Sequence, residues 1–383
     1  MIKLKLLHYV YNLNQGGAET LVKDYALLID KNRFDIVILC HDRVGSPYEK
    51  ILADANIRVV YISDYIPFKK LYSNPVANRI ICHSYLDKFI AKYIIKKEKP
   101  DIVHAHMFCN DLIKFANIPQ TCKLFYTVHS QPKAYWCNNK RFAQRDFKAL
   151  SYLIKKHSMR LIALNEPMRV ELNEMFRVNN AVVLNNGIDF NKFNVAESRK
   201  KIRKELNIAE DAFLVGHVGR FVPVKNHALI VDAFEKLRKL NKRAHLILVG
   251  TGELRSQIED KIELLGLKEN VTILEHRTDI PKILKALDMF IFPSHFEGLG
   301  IALIEAQKMG VPCVISYAIP QAAVVSNLVY RMPQNSTPEE WANVMNDFFV
   351  DNIEYYGIEK WDMNLVVKQL ENLYEQDYLR LNS

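Results

Sequence analysis

The stretch from Phe290 to Pro312, F-I-F-P-S-H-F-E-G-L-G-I-A-L-I-E-A-Q-K-M-G-V-P, decides the fold of this chain. Its apolar beginning, Met289 to Phe292, predicts the end of a buried strand. A loop containing Gly298 and Gly300 follows and leads into a predicted helix, Ile301 to Met309. This order of strand, loop and helix is typical of α/β proteins with parallel sheets.

Two acidic residues lie eight positions apart in this stretch, Glu297 in the loop and Glu305 inside the helix. A helix N-terminus offers unpaired N–H groups and partial positive charge, which suit an anionic or hydroxyl-rich ligand. Carboxylates accept hydrogen bonds from paired sugar hydroxyls. The pattern therefore predicts a site for an anionic or hydroxyl-rich ligand, the alternative being a capped surface helix that follows a core strand.

A second strand-to-helix loop carries Arg220 and Lys225, five residues apart and closed by Pro223. A rigid guanidinium fork and a compact ammonium are the pair expected around a pyrophosphate. The nearby Gly250-Thr251-Gly252 lacks the third glycine of a dinucleotide motif, so NAD binding is not expected.

The first half of the chain offers weaker signals. Gly16 and Gly17 separate the first strand from the first helix, where they would let the backbone approach a ligand or simply form a tight turn. His129 follows a strand, Leu124 to Val128, and would lie at the ligand-binding edge of a parallel sheet, although such a histidine is more often structural. The polar and aromatic stretch Gln131 to Lys148 is a candidate acceptor-facing loop and helix.

With 383 residues, the chain is long enough for two domains. Its formal charge of +9 is uneven: residues 1–190 hold 28 basic and 17 acidic residues, a net +11, and the remainder holds 24 and 26, a net −2. No nucleic-acid recognition motif is present, so an anionic membrane surface is the better candidate partner for the basic half. The sequence has neither an apolar run long enough to span a bilayer nor a signal-peptide pattern.

The six cysteines show no metal-ligand spacing and predict unpaired thiols in a reducing cytoplasm, without a metal site. Between Ile66 and Pro100, basic residues of the 69–99 segment alternate with aromatic and aliphatic ones. Helical spacing predicts an apolar face and a basic face there, either for membrane contact or, more commonly, for packing on the domain.

The motifs together resemble those of the family 4 retaining glycosyltransferases. The matching segments are G-G-A-E after the first strand, T-V-H-S, N-N-G-I-D, G-R-F-V-P-V-K-N, V-G-T-G-E-L and P-S-x-x-E-G-x-G with its E-A. The resemblance covers nearly the whole chain and is greatest to bacterial capsular, exopolysaccharide and O-antigen enzymes. It implies the GT-B fold, in which two Rossmann-like domains face a central cleft. Asn165 departs from the family, which commonly has serine there.

The resemblance also implies the chemistry: a metal-independent hexosyltransferase that retains the anomeric configuration and uses a nucleotide-sugar as substrate, UDP more commonly than GDP, with no cofactor. Arg220 and Lys225 would neutralise the departing diphosphate, Glu297 would hold the sugar, Glu305 would hold the ribose, and His129 would contact the sugar. Catalytic roles thus fall to Arg220, Lys225, Glu297 and His129. The donor-binding residues would be Gly16, Gly17, Arg220, Lys225, Glu297, Gly298, Leu299, Gly300, Ile301 and Glu305.

By the same resemblance, residues 1–192 would bind a saccharide or lipid-linked saccharide acceptor and residues 193–355 the donor, with residues 356–383 crossing back as a helix. The enzyme would lie in the cytoplasm, peripheral to the inner face of the cell membrane. Two alternatives remain open at this stage: a sugar-nucleotide epimerase of the same fold, and a non-catalytic nucleotide-sugar-binding subunit.

Overall fold

The computed structural model describes residues 3–14, 16–65, 85–106, 109–137, 140–275 and 277–382. They form two compact units: residues 1–187 with 363–383, and residues 188–362. The sequence had suggested divisions after residues 192 and 355. Each unit contains one parallel sheet with helices.

The sheet of the first unit has seven strands in the order β3-β2-β1-β4-β5-β6-β7, all parallel. Its strands are β1 Leu4–Val10, β2 Phe34–Cys40, β3 Arg58–Tyr61, β4 Ile102–His106, β5 Lys123–Thr127, β6 Arg160–Ala163 and β7 Val182–Val183. Its described helices are α1 Gly17–Leu28, α2 Pro47–Asp54, α3 Tyr85–Glu98, α4 Asn110–Ala116, α5 Pro132–Trp136, α6 Arg141–His157, α7 Glu166–Phe176 and α14 Met363–Asn382.

The sheet of the second unit has six parallel strands in the order β10-β9-β8-β11-β12-β13. Its strands are β8 Phe213–Val218, β9 Ala244–Val249, β10 Val271–Leu274, β11 Met289–Phe292, β12 Cys313–Ser316 and β13 Val329–Met332. Its helices are α8 Arg199–Glu205, α9 His227–Leu240, α10 Arg255–Leu264, α11 Ile280–Ala286, α12 Ile301–Lys308 and α13 Pro338–Asp347.

The strands predicted at Leu124 to Val128 and at Met289 to Phe292 are present as β5 and β11, the first with its ends shifted by one residue. The edge strand β13 was not predicted, because its sequence V-Y-R-M places the polar Arg331 among the apolar residues. Helix α12 ends at Lys308, and Gly310 follows with φ +73°, a conformation typical of glycine after a helix.

Alternating side chains of the first sheet bury two separate apolar layers. On one face, Leu4 and Leu6 of β1 pack with Val366, Leu370 and Tyr374 of α14. Largely buried ion pairs add to this packing, including Arg33 with Glu371 at 2.9 Å and Arg160 with Asp377 at 3.1 Å. The last helix is therefore an integral part of the first unit.

The interpretation of Gln131 to Lys148 as an acceptor-facing excursion is wrong for its centre. Trp136 is buried, and its indole N–H donates to the buried carboxylate of Asp146 at 3.0 Å. Asp146 also accepts a hydrogen bond from Asn110 at 3.0 Å. Trp136 belongs to the core of this unit, and the partly buried Tyr135 and Phe147 pack against that core.

The predicted separation of apolar and basic faces in the basic segment also needs correction. In α3, Ile90 and Ile94 are buried, yet Phe89 and Tyr93 are 58% and 56% exposed. The helix therefore has one apolar face in the core and a second on the surface, beside lysines. Residues 66–84 of that segment lie outside the described residues.

Asn165 explains the departure from the usual serine, because its side-chain oxygen accepts a hydrogen bond from the Met168 N–H at 2.9 Å and caps α7 as serine would. The described cysteines, Cys40, Cys109, Cys122, Cys137 and Cys313, are free thiols, and Cys82 lies outside the described residues. In the part of the chain that the structure describes, no helix has the length and apolar character needed to cross a membrane.

Candidate functional site

The order of strands in the second sheet changes direction between β8 and β11. Open parallel sheets bind ligands at the carboxyl ends of the strands on either side of such a point. The loop 219–225 leaves β8 there, and the loop 293–300 leaves the neighbouring β11. The two loops are joined by a hydrogen bond from the His295 N–H to the Val224 carbonyl oxygen at 2.8 Å.

The structure brings Lys225 and Glu297 together between these loops. The Lys225 Nζ donates to Glu297 Oε1 at 2.6 Å, and the two side chains are only 17% and 13% exposed. The same ammonium lies 4.9 Å from the centre of the Phe292 ring. The pair is thus held in place by burial and by an aromatic face, so both charges are fixed before any ligand binds.

Arg220 lies in the same loop, and its side chain is exposed. Among the described residues, it makes no hydrogen bond or ion pair that would fix its direction. The convergence of Arg220 and Lys225 on one point therefore stays a prediction.

Gly250 and Gly252 support the loop from beneath. They have φ angles of +152° and +155°, and a Cβ on either would meet backbone at once, 2.0 Å from the Gly219 oxygen and 2.4 Å from the Phe221 oxygen. Between them, the Thr251 carbonyl oxygen accepts the Phe221 N–H at 2.8 Å. The incomplete dinucleotide motif therefore packs against the loop that carries Arg220 and supports its backbone.

The N-terminus of α12 lies at the end of the loop that carries Glu297. Gly300 caps the helix with φ 88° and ψ 51°, a left-handed conformation that glycine adopts without strain. Leu299 and Gly300 are buried, while Gly298 and Ile301 are partly exposed. The first turn of α12 therefore directs N–H groups to the loop side of the helix.

Glu305 lies further along α12, and its side chain is largely enclosed. Burial raises the pKa of Glu305 to about 7, and the charge of Lys192 opposes this rise. At pH 7 such a carboxyl group is about half ionised, and hydrogen-bond donors that approach it favour the ionised form. Paired hydroxyls are such donors.

In the first unit, Gly16 caps α1 and Gly17 is its first residue. A Cβ on Gly17 would meet no atom within 4 Å, whereas one on Gly16 would meet the end of the Glu19 side chain. The geometry is thus compatible with both predictions for this pair, a close approach of the backbone to a ligand and a simple tight turn.

His129 follows β5 by two residues, and its ring accepts or donates one internal hydrogen bond, from its Nε2 to the Nδ1 of His106 at 3.1 Å. Burial lowers the pKa of His129 to about 4, so the ring is neutral at physiological pH.

The sequence reasoning missed the histidines behind His129. His8, His104 and His106 are buried in the first unit, and one ring nitrogen from each lies within 4.8 Å of the others. His104 bonds the Tyr374 hydroxyl at 2.5 Å and the Thr127 hydroxyl at 2.7 Å. The signal that was available is H-A-H in β4, since residues two apart in a strand share a face.

Two family models match the chain, "Glycosyltransferase Family 4" over residues 15–192 and "Glycosyl transferases group 1" over residues 198–359. The chain therefore belongs to the family 4 glycosyltransferases, as the resemblance indicated. The two matches together cover most of both units.

Curated relatives are similar over most of their length. The chain is 27% identical to the UDP-Gal:alpha-D-GlcNAc-diphosphoundecaprenol alpha-1,3-galactosyltransferase of Escherichia coli, over 85% of this chain and 82% of that one. It is 24% identical to the capsular polysaccharide biosynthesis glycosyltransferase CapH of Staphylococcus aureus, over 97% and 98% of the two chains.

Solved structures confirm the GT-B fold. Anabaena HepE, crystallised with UDP and glucose, superposes with a TM-score of 0.70 at 20% identity, over 98% of this chain and 95% of that one. The glycosyltransferase WaaG superposes with a TM-score of 0.67 at 14% identity, over 97% and 98% of the two chains. These matches do not favour the epimerase or the non-catalytic subunit.

Proposed function

We propose that this glycosyltransferase transfers a hexose from a UDP-sugar to a saccharide or lipid-linked saccharide acceptor of a bacterial surface polysaccharide, with retention and without a metal ion. The observation that carries the proposal is the Lys225–Glu297 pair at the point where the second sheet changes direction, beside the N-terminus of α12. The choice of UDP is supported by the E. coli relative, which uses UDP-galactose by name, and by the UDP bound to HepE.

In the proposed mechanism, Lys225 stabilises the charge that develops on the departing diphosphate. An ammonium has three N–H donors, and Glu297 occupies one of them, which leaves two for phosphate oxygens. Arg220 adds a second cation from the same loop. Fixed charges of this kind lower the barrier because they need no rearrangement as the bond to phosphate breaks.

Glu297 and the backbone N–H groups of Gly298, Leu299, Gly300 and Ile301 hold the donor's sugar and phosphate, and Glu305 accepts the ribose hydroxyls. In the same proposal, Gly16 and Gly17 of the first unit contact the donor phosphate, and His129 contacts the sugar. The bond from the anomeric carbon to the phosphate oxygen breaks, and the acceptor oxygen bonds to that carbon on the same face. The acceptor proton passes to the leaving phosphate, which provides a base without a metal or a protein carboxylate.

The experiment that tests this proposal offers purified protein several UDP- and GDP-sugars in EDTA and measures nucleotide release. We expect release from one UDP-sugar, abolished in Glu305→Ala and Arg220→Ala. Glu263→Ala and Lys268→Ala, exposed positions on the same unit, are the matched controls. Release that requires an added divalent cation would contradict the metal-independent mechanism.

The stereochemistry is tested by proton NMR of the sugar released when water replaces the acceptor. Retention predicts that the first product detected has the anomeric configuration of the donor, before mutarotation. An inverted first product would contradict front-face transfer and leave the donor-site assignment intact.

We also propose that the enzyme works at the cytoplasmic face of the membrane and touches it through α3. Leu86, Phe89 and Tyr93 expose 46%, 58% and 56% of their surface, and Lys96 and Lys97 are exposed on the same helix. Apolar side chains beside lysines suit the boundary of an anionic bilayer. The fraction of protein that co-sediments with anionic vesicles should fall as salt is added, and it should fall in a Phe89→Ser, Tyr93→Ser variant. Binding that changes with neither salt nor these substitutions would refute the contact.

A further inference from the structure

Three histidines form a continuous hydrogen-bonded chain inside the first unit. His8 Nδ1 lies 3.1 Å from His106 Nε2, and His106 Nδ1 lies 3.1 Å from His129 Nε2. Both ring nitrogens of His106 are thus used, one for each neighbour. The chain begins at a buried residue of β1 and ends at the partly exposed His129.

The register of the sheet creates this chain. Strand β1 pairs with β4 so that His8 stands opposite His104, and His106 follows two residues later on the same face. Strand β4 pairs with β5 so that His106 stands opposite Thr127, and His129 again follows by two residues. Each step of the chain therefore moves one strand along the sheet and toward its carboxyl edge.

All three rings are neutral at physiological pH. Burial lowers the pKa of His8 to about 3 and that of His129 to about 4, and the pKa of His106 falls well below its ordinary value for the same reason. A neutral imidazole carries one proton, so it can donate through one nitrogen and accept through the other. A chain of neutral imidazoles has therefore only two arrangements, with every proton pointing one way or every proton pointing the other.

The free end at His8 decides between these two arrangements. Its Nε2 is buried and has no hydrogen-bond partner among the described residues. In one arrangement this nitrogen carries a buried, unpaired N–H; in the other it carries only a lone pair. Orphaned buried N–H groups are rare, and an unpaired acceptor is the better tolerated of the two. The protons therefore lie on Nδ1 of all three rings.

We propose that His8 and His106 are positioning residues that hold His129 in its Nδ1–H tautomer, so that its outer nitrogen presents a hydrogen-bond donor. In the enzyme, the Nδ1–H of His129 donates a hydrogen bond to a hydroxyl oxygen of the donor's sugar, a step that rests on the proposed function. The Nε2 of His129 would be an acceptor committed to His106. The chain acts through His129 and does not itself touch the substrate.

A metal ion is the competing use of the same histidines, because His8, His104 and His106 lie close together. His104 bonds Tyr374 and Thr127 through its two nitrogens, and His106 bonds His8 and His129 through its own. In the described part of the cluster, only His8 Nε2 is left to bind an ion. A metal would have to replace several hydrogen bonds, so the geometry favours the chain.

The test is ¹⁵N NMR of the histidine rings in donor-free protein, with signals assigned through single variants. Isolated imidazoles favour the Nε2–H tautomer, so Nδ1–H at His8, His106 and His129 is the distinctive expected result. In His106→Leu, the ring of His129 should return to Nε2–H. Wild-type His129 found as Nε2–H would overturn the proposal, and so would stoichiometric Zn²⁺ coordination by His8 and His106.

Turnover provides the second arm. His106→Leu should lower kcat about tenfold, as for one lost hydrogen bond, with little change in UDP affinity. His106→Asn, whose amide can replace the Nδ1 donor, should restore part of the loss. The control is Thr127→Val, which removes the hydroxyl that bonds His104 Nε2 and should change neither the His129 tautomer nor kcat.

The two proposals fail separately. If no nucleotide-sugar binds and none releases its nucleotide, the proposed function is wrong, while the tautomer measurement still stands on donor-free protein. If the tautomers are as expected but His106→Leu keeps full kcat, the positioning role is refuted.

Discussion

The second unit and the first solve the problem of buried polar groups in opposite ways. Around Lys225 and Glu297, the second unit encloses full charges and pairs them. Around His106, the first unit encloses rings that burial keeps neutral, and links them by hydrogen bonds. Paired charges can stabilise charge that develops on a ligand, whereas a neutral chain can only fix directions. Because of this difference, we expect the two regions to respond differently to mutation and to pH.

The largest effect is expected where a buried charge has no role in the site. Arg203 is buried and donates to the carbonyl oxygens of Ala286, Glu210 and Ala212 and to Asp288. Arg203→Met would leave these acceptors without their hydrogen-bond donor, and we expect it to lower the free energy of unfolding by about 3–5 kcal/mol. Urea unfolding of the purified variant measures this loss.

Arg199 is the matched control, since it pairs with the same Asp288 from an exposed position. Arg199→Met should cost at most about 1 kcal/mol. Equal losses in the two variants would show that burial does not separate structural charges from surface ones in this unit.

The next effect concerns catalysis. Lys225→Ala removes a fixed cation and leaves the Glu297 carboxylate, 13% exposed, without its partner. We expect nucleotide release to fall about 10²–10³-fold, the usual cost of removing one charge-stabilising group from an active site. Steady-state release of UDP measures it, with Lys268→Ala as control. A loss no larger than that of His106→Leu would remove the contrast between charged and neutral regions.

These effects rest on residues of different predictability. Lys225 and Glu297 could be found from sequence because each lies in a loop that follows a strand, where a parallel sheet binds its ligands. Glu305 could be found because it lies in the helix that follows the second of these loops. Their local motifs also fix the loops, as Gly300 with its φ of 88° illustrates. What the sequence could not give was the Lys225–Glu297 contact, since it depends on which strands are neighbours.

The histidine chain was out of reach for the same reason. His8 and His106 are 98 residues apart, and only the pairing of β1 with β4 brings them together. The sequence predicted one apolar face for α3 and not two, because periodicity cannot tell which apolar stripe meets the core. Local order was thus predictable, and contacts between distant strands were not.

A smaller effect is expected from pH at Glu305. Its pKa in the folded protein is about 7, so the carboxylate is lost as pH falls through that value. Because the ionised form is the better acceptor for two hydroxyls, UDP-sugar affinity should weaken below about pH 7 and stay flat in Glu305→Gln. Calorimetric titration across this range measures both. An unchanged pH profile in Glu305→Gln would refute the ribose-binding role.

The effect of Glu305 on the free energy of unfolding should depend on pH in the opposite direction to its effect on UDP-sugar affinity. A carboxyl group with a raised pKa contributes its full stability below the unfolded pKa, and the contribution is lost as pH rises through about 7. Glu305→Gln should therefore be more stable than wild type at about pH 8, by about 3 kcal/mol at about 1.36 kcal/mol per pKa unit, and equal at about pH 4. Thermal unfolding at both values checks the sign.

The smallest effect is expected at the edge of the histidine cluster. His104 bonds two hydroxyls, at 2.5 Å to Tyr374 and 2.7 Å to Thr127. A hydroxyl can donate or accept, so neither partner fixes the tautomer of His104, unlike the imidazole partners of His106. Tyr374→Phe should therefore lower the free energy of unfolding by about 1 kcal/mol while the His129 tautomer stays unchanged. Urea unfolding and ¹⁵N NMR measure the two quantities on one sample, and a shift of the His129 tautomer in Tyr374→Phe would show that the chain extends through His104 to the last helix.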